Sequence, residues 1–240
     1  MQKIKTNVLL WTVAIATGFA VSGCIKSSMP APTPARAYVS IMHLAPTAPS
    51  LDIFFNDTKV STNAFTPGSV SSAYNPVERG DFSIKLQKAG SDSMVATIPL
   101  ERYDSLHFYT ILVFNLQANG PAQAVRVEDN FGNLTSGKAY YRFFHASPNV
   151  DAVDIYMDNA KILNGRTLAD NAIQEALNHF SEVTQGSHIF QVKLAGTDSV
   201  LATRNNVELA AGNAYTLYLR GLGGGADNTE LSLGLLRAAN

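Results

Sequence analysis

Cysteine is almost missing from this chain: Cys24 is the single thiol in 240 residues. One thiol forms no intrachain disulfide, so stability has to come from packed apolar surface. Tryptophan is equally scarce, with Trp11 alone near the N-terminus. Charge is sparse as well: 15% of residues are Asp, Glu, Lys or Arg, and the net charge is −1. The basic residues are scattered singly, which excludes an electrostatic case for nucleic acid or an acidic partner. No Ser-His-Asp or Cys-His arrangement is legible. Ser147 follows His145 by two without a nucleophile elbow around it. Gly221 to Gly225 is rich in glycine but lacks the Lys-Ser/Thr of a phosphate loop and leads towards a strand, so it reads as a hairpin loop. Nothing calls for a cofactor or a metal.

What is present begins with an address. Lys3 and Lys5 precede an apolar stretch from Val8 to Ala20, then Val21-Ser22-Gly23-Cys24. The stretch is short for a membrane span and has the form of a signal h-region. The last four residues resemble a bacterial lipobox, which implies removal of residues 1–23 and a lipid on the sulfur of Cys24. Residues 24–36, rich in Pro, Ser and Ala, read as an extended tether. No acidic run follows the cysteine, which favours an outer membrane location facing the periplasm, with surface exposure an alternative.

From Ala37 onward the chain alternates apolar and polar residues over short runs broken by turn residues, the mark of an all-β protein. His43-Leu44-Ala45-Pro46 followed by Asp52-Ile53-Phe54 recurs 102 positions later as His145-Ala146-Ser147-Pro148 followed by Asp154-Ile155-Tyr156. Each copy continues with an Asn/Asp turn and a lysine, Lys59 or Lys161. Further on, Gly80 pairs with Gly186, Ala89 to Ser93 with Ala195 to Ser199, and Tyr109 with Tyr215, now at an offset of 106. The second copy therefore holds four extra residues, near Thr167 to Leu177. There Leu168, Ile173, Ala176 and Leu177 have helical spacing behind Asp170 as a possible cap, predicting a short helix. A repeat of this length is a domain with its own core rather than a solenoid unit. About seven short strands per copy fit an immunoglobulin-like sandwich. The expected organisation is two tandem immunoglobulin-like β-sandwich domains, residues 37–134 and 135–240, meeting end to end across a short linker near Asn130 to Lys138.

The motifs H-A-S-P, V-D-I-Y and A-G-T-D-S resemble those of a family of bacterial envelope proteins known as a domain of unknown function, DUF4397. The second copy carries the likeness best, through His145 to Pro148, Val153 to Tyr156 and Gly196 to Asp198. The first departs at Leu44-Ala45 and at Phe54. The resemblance implies tandem β-sandwiches on secreted or lipid-anchored proteins, and no established chemistry.

Among polar residues, the repeated histidines His43 and His145 are candidates for a metal ligand or general base. Their position at a strand end before a proline turn points instead to a half-buried imidazole that bonds a backbone carbonyl in the turn. Asp52, Asp57, Asp151, Asp154 and Asp158 are candidate acids, and the even spacing of Asp154 and Asp158 predicts one strand face for both. Turn chemistry explains them more simply. Ser93, Ser105 and Ser199 each follow an aspartate and precede an apolar residue, a context for O-glycosylation in some envelopes. Loop aromatics Phe65, Tyr74 and Phe180 are candidate glycan contacts. The expected role is therefore non-catalytic: a lipid-anchored envelope module that binds a glycan or another envelope protein. Two alternatives stand beside it. One is a subunit of an adhesive or pilus-like assembly processed at Arg36, and the other is a hydrolase using the aspartates.

Overall fold

The computed structural model describes residues 35–173 and 179–239. The leader, Cys24 and the tether up to residue 34 lie outside the described residues, as do residues 174–178. The first repeat forms β1 (Arg36–His43), β2 (Leu51–Phe55), β3 (Thr58–Lys59), β4 (Asn75–Glu78), β5 (Gly80–Lys88), β6 (Met94–Tyr103), β7 (Phe108–Asn115) and β8 (Ala122–Asp129). The second forms β9 (Ala139–His145), β10 (Val153–Met157), β11 (Ala160–Arg166), β12 (Ser181–Val183), β13 (Gly186–Leu194), β14 (Val200–Leu209), β15 (Ala214–Arg220) and β16 (Ser232–Ala239). The protein is all-β, in two sandwich-like units. Each has eight strands where seven were expected, because brief edge strands form where the sequence alternation is weakest.

Each repeat builds the same pair of four-stranded sheets. The first has β4-β1-β7-β8 facing β3-β2-β5-β6; the second has β12-β9-β15-β16 facing β11-β10-β13-β14. In both, the opening strand runs parallel to the seventh, with Tyr38 beside Phe108 and Tyr140 beside Ala214. Alternation along the strands fills a core between each pair of sheets. Val39, Ile41, Ile53, Ile84 and Ile111 do so in the first repeat; Tyr141, Phe143, Ile155, Phe190 and Leu217 do so in the second.

The alternate positions on β1, β7 and β9 are buried as well, and their apolar members make a third core. Met42, Leu44, Leu112, Phe114 and Val127 of the first repeat pack with Phe144, Ala146 and Tyr218 of the second. The two mixed sheets therefore face one another, and the sandwiches stack as four layers. This corrects the end-to-end arrangement. A sheet exposed on one face shows clean alternation, whereas β7 reads as a continuous apolar run because both of its faces are covered.

The predicted helix is a 3-10 turn over Leu168–Ala172. Thr167 occupies the cap position instead of Asp170. The Asp170 carboxylate accepts from the Thr167 hydroxyl at 2.9 Å and from its N–H at 3.2 Å. The remainder of the predicted helix falls on residues 174–178.

Candidate functional site

The repeated histidines are structural in both copies. His43 and His145 end β1 and β9 with almost no exposed surface. Nε2 of His43 donates to the Pro49 carbonyl at 3.0 Å, and Nε2 of His145 to the Asp151 carbonyl at 3.1 Å. Those carbonyls close the far end of the proline turn, so each ring spans the whole turn. Burial lowers both histidine pKa values, leaving a neutral ring with its proton on Nε2. Nδ1 of His145 accepts the Ser147 N–H at 3.4 Å. Among the described residues no three His, Cys, Asp or Glu side chains group around a metal position. The expectation of half-burial is corrected: in phase with Val39 and Ile41, and with Tyr141 and Phe143, each ring is turned to the side of its own sandwich's core and is fully covered there.

The aspartates are clamps. Asp52 on β2 pairs with Lys59 at 2.8 Å and accepts the Gly90 N–H at 3.0 Å. Its counterpart Asp154 pairs with Lys161 at 2.6 Å and accepts N–H groups from Gly165 at 2.8 Å and Gly196 at 3.3 Å. Gly90 and Gly196 both sit at φ +72°, a left-handed conformation that lets the hairpin turn aim its N–H at the carboxylate. The lysine hydrogen bond, followed by a backbone N–H, holds each carboxyl below its ordinary pKa. Asp158 does not share a strand face with Asp154, because β10 ends at Met157 and Asp158 turns the chain at φ +50°. It bonds Nδ1 of His188 at 2.6 Å and the Ile189 N–H at 2.9 Å, which lower its pKa in turn. Asp57 pairs with Lys85 at 2.6 Å, and Asp151 is exposed. These acids do not converge, and the perturbed ones are shifted in the direction opposite to that of a catalytic acid.

The three candidate serines lie on turns. Ser93 and Ser199 are exposed at equivalent hairpins, and Ser105 is half-buried. Gly221 to Gly225 connects β15 to the short turn before β16. Its Gly223 exchanges two hydrogen bonds with Asn149, at 2.8 and 3.0 Å.

Sequence reasoning missed the most buried ion pair among the described residues. Arg142 on β9 and Asp129 on β8 form an ion pair whose side chains are 2% and 0% exposed. Nε of Arg142 donates to Thr216 at 2.9 Å and Nη2 to Thr110 at 3.1 Å, while the Thr110 hydroxyl donates to Asp129 at 2.6 Å. Tyr74 also donates to Asp129, and burial is the main cause that pushes its phenol pKa up. The guanidinium lies 4.6 Å from the ring centres of both Phe144 and Phe180. Tyr74 and Phe180, read as loop aromatics, are thus parts of the junction between the sandwiches. The signal available was an arginine in the midst of the aromatic strand Tyr140-Tyr141-Arg142-Phe143-Phe144, which demands a buried acid.

A large opening lies in the first sandwich. A cleft of about 870 Å³ enters between the edge strands β3 and β4 and reaches core residues Val39, Ile41, Ile53 and Phe82. Phe55 and Phe65 flank it, and Asn56, Asn63, Glu78, Arg79 and Asp81 stand at its mouth. This is the size and character of a small-ligand site: an apolar floor with a few polar groups around it. The second sandwich fills the same space with its own chain. Val39 and Ile41 are replaced there by Tyr141 and Phe143, and the two-residue β3 by the seven-residue β11. Ile162 and Leu163 of β11 pack on the second core, where Val60 and Ser61 stand in the first. The registers confirm the correspondence: Ser61 bonds Ile53 through its backbone N–H and its hydroxyl, as Leu163 pairs with Ile155. Of the three loop aromatics, Phe65 alone lines the cleft.

Residues 37–156 and 140–236 match the sequence profile of a family described as a domain of unknown function, DUF4397. No curated protein matches the chain.

Proposed function

We propose, for a chain that belongs to the DUF4397 family and carries two tandem copies of its domain, a non-catalytic binding role exercised through the cleft of the first sandwich. One observation carries this reading. Equivalent positions in two copies of one fold leave an apolar opening in the first and close it in the second. A gap that persists without a function costs core packing, so an opening of this size marks a binding surface. Of the two partner classes expected from sequence, the apolar floor favours an apolar group on a ligand or protein over a sugar. The aspartates support no hydrolase, since each perturbed carboxyl is clamped in its ionised form. Strand donation after cleavage at Arg36 is disfavoured, because Arg36 already pairs with Glu78 in β1 and its carbonyl accepts the Leu106 N–H at 2.7 Å.

The lipobox at Cys24 supports a lipid anchor in a bacterial envelope, with the outer membrane facing the periplasm as the proposed site. Among the described residues no helix is long and apolar enough to cross a membrane. Labelled palmitate in the native host tests the anchor: incorporation that disappears in Cys24→Ala is expected, and unchanged labelling overturns it. A thermal-shift screen of sugars and apolar compounds tests the binding role. Stabilisation by apolar compounds only is the expected result, and stabilisation by sugars alone overturns the assignment of the cleft.

A further inference from the structure

We propose that the cleft of the first sandwich takes an amphipathic carboxylate with an aromatic body, the ring entering between the sheets and the carboxylate pairing with Arg79. This rests on the reading of the cleft as a binding site and adds the class of ligand.

The second copy supplies the shape argument. Tyr141 and Phe143 occupy with rings what Val39 and Ile41 leave open, and the Tyr141 hydroxyl reaches the Ile162 carbonyl at 3.5 Å. The fold thus accommodates aromatic rings at this place between its sheets. In the first copy the ring must come from outside, and it meets Phe55 and Phe82, themselves stacked with centroids 5.1 Å apart.

Charge at the mouth supplies the second argument. Glu78 faces Arg36 at 3.9 Å and Asp81 faces Arg102 at 3.4 Å, so both acids there have partners. Arg79 lines the same mouth and has no ion-pair partner among the described residues. Its counterpart beside the closed second copy is Gln185. The unmatched cation therefore accompanies the open cleft and is missing where the cleft is filled. A guanidinium offers a planar fork that fits a carboxylate through two hydrogen bonds.

The edge of β4 argues against an inserted peptide strand. Pro76 interrupts the donors along that edge, a common guard against strand addition. A compact ligand that enters ring first needs no such donors.

Calorimetric titration of the full chain with 2-naphthoate, 2-naphthamide and decanoate tests the proposal. Saturable binding of 2-naphthoate is expected, weakened about tenfold both for the neutral amide and in Arg79→Gln, as loss of one charge-assisted pair implies. Val39→Tyr, which imports the residue of the closed copy, is expected to abolish binding. Arg79→Gln changes an exposed side chain and remains informative if Val39→Tyr fails to fold. Equal affinity for naphthoate and naphthamide, or an unaffected Arg79→Gln, overturns the carboxylate assignment and leaves the cleft as a binding site. Binding of decanoate without naphthoate overturns the aromatic body alone. No binding of any probe, or naphthoate binding that survives in a folded Val39→Tyr, overturns both this inference and the role given to the cleft.

Discussion

The two repeats of this protein share turns, clamps and sheet order, and two of their differences set what each one faces. On the side facing the junction, Arg142 of the second copy stands where the first has Ser40, a buried hydroxyl with no hydrogen-bond partner among the described residues. On the side facing its own core, the first copy has Val39, Ile41, Val60 and Ser61 where the second has Tyr141, Phe143, Ile162 and Leu163. The shared residues set the fold. The unshared ones make the second copy contribute the cation of the junction's ion pair and the first contribute an opening. A duplicated fold that had kept both copies alike would have neither feature.

The largest way to break this comparison is Arg142→Ser, which gives the second copy the residue of the first. It leaves Asp129 buried without its cation, and a loss of about 3–5 kcal/mol is expected from urea denaturation. A loss below about 1 kcal/mol is what a solvent-exposed pair shows and would place the junction in water. Next in size, Ile162→Ala removes a half-buried side chain from the filled copy and should cost about 1–2 kcal/mol. Its counterpart Val60→Ala, at a residue 45% exposed, should stay within about 0.5 kcal/mol. Equal losses would show that the two flanks are packed alike.

Acid sharpens the comparison from the side of what is shared. His43 and His145 have lowered pKa values in the folded protein, so the unfolded chain binds protons first as pH falls through the ordinary histidine value of 6.5. Stability should therefore decline from there downward, and His145→Gln should flatten that limb in pH-dependent denaturation. Asp52 and Asp154 have lowered values too. Their contribution is present above the ordinary carboxyl value of 3.8 and is lost as pH falls through the still lower folded values. Asp154→Asn should remove part of that acid limb while leaving the histidine limb in place. The smallest effect concerns the exposed hairpin serines. Ser93→Ala and Ser199→Ala should each change stability by under about 0.5 kcal/mol. If those serines carry sugar in the native host, intact mass should exceed that of the same chain without sugar and fall with each substitution; an unmodified mass removes the glycosylation reading.

Local chemistry was legible in the sequence because it is written in neighbours. The His-x-x-Pro turn, the strand alternation and the Asp-Ser hairpins each need residues a few positions apart, so spacing alone revealed two β-sandwiches and demoted the histidines and aspartates to fold signature. What lay beyond reach depends on contacts between distant strands. Met42, Leu112 and Phe144 look like ordinary core residues until one sheet is seen to face the other, and Arg142 acquires its meaning from Asp129 and Thr110 across the junction. The cleft is subtler still. Val39 and Tyr141 are both acceptable core residues in sequence, and only the packed sheets decide that one leaves space and the other fills it. Period and turn chemistry determine which strands form; the volume left between those strands, and the charges stationed at its mouth, exist only once the layers are stacked.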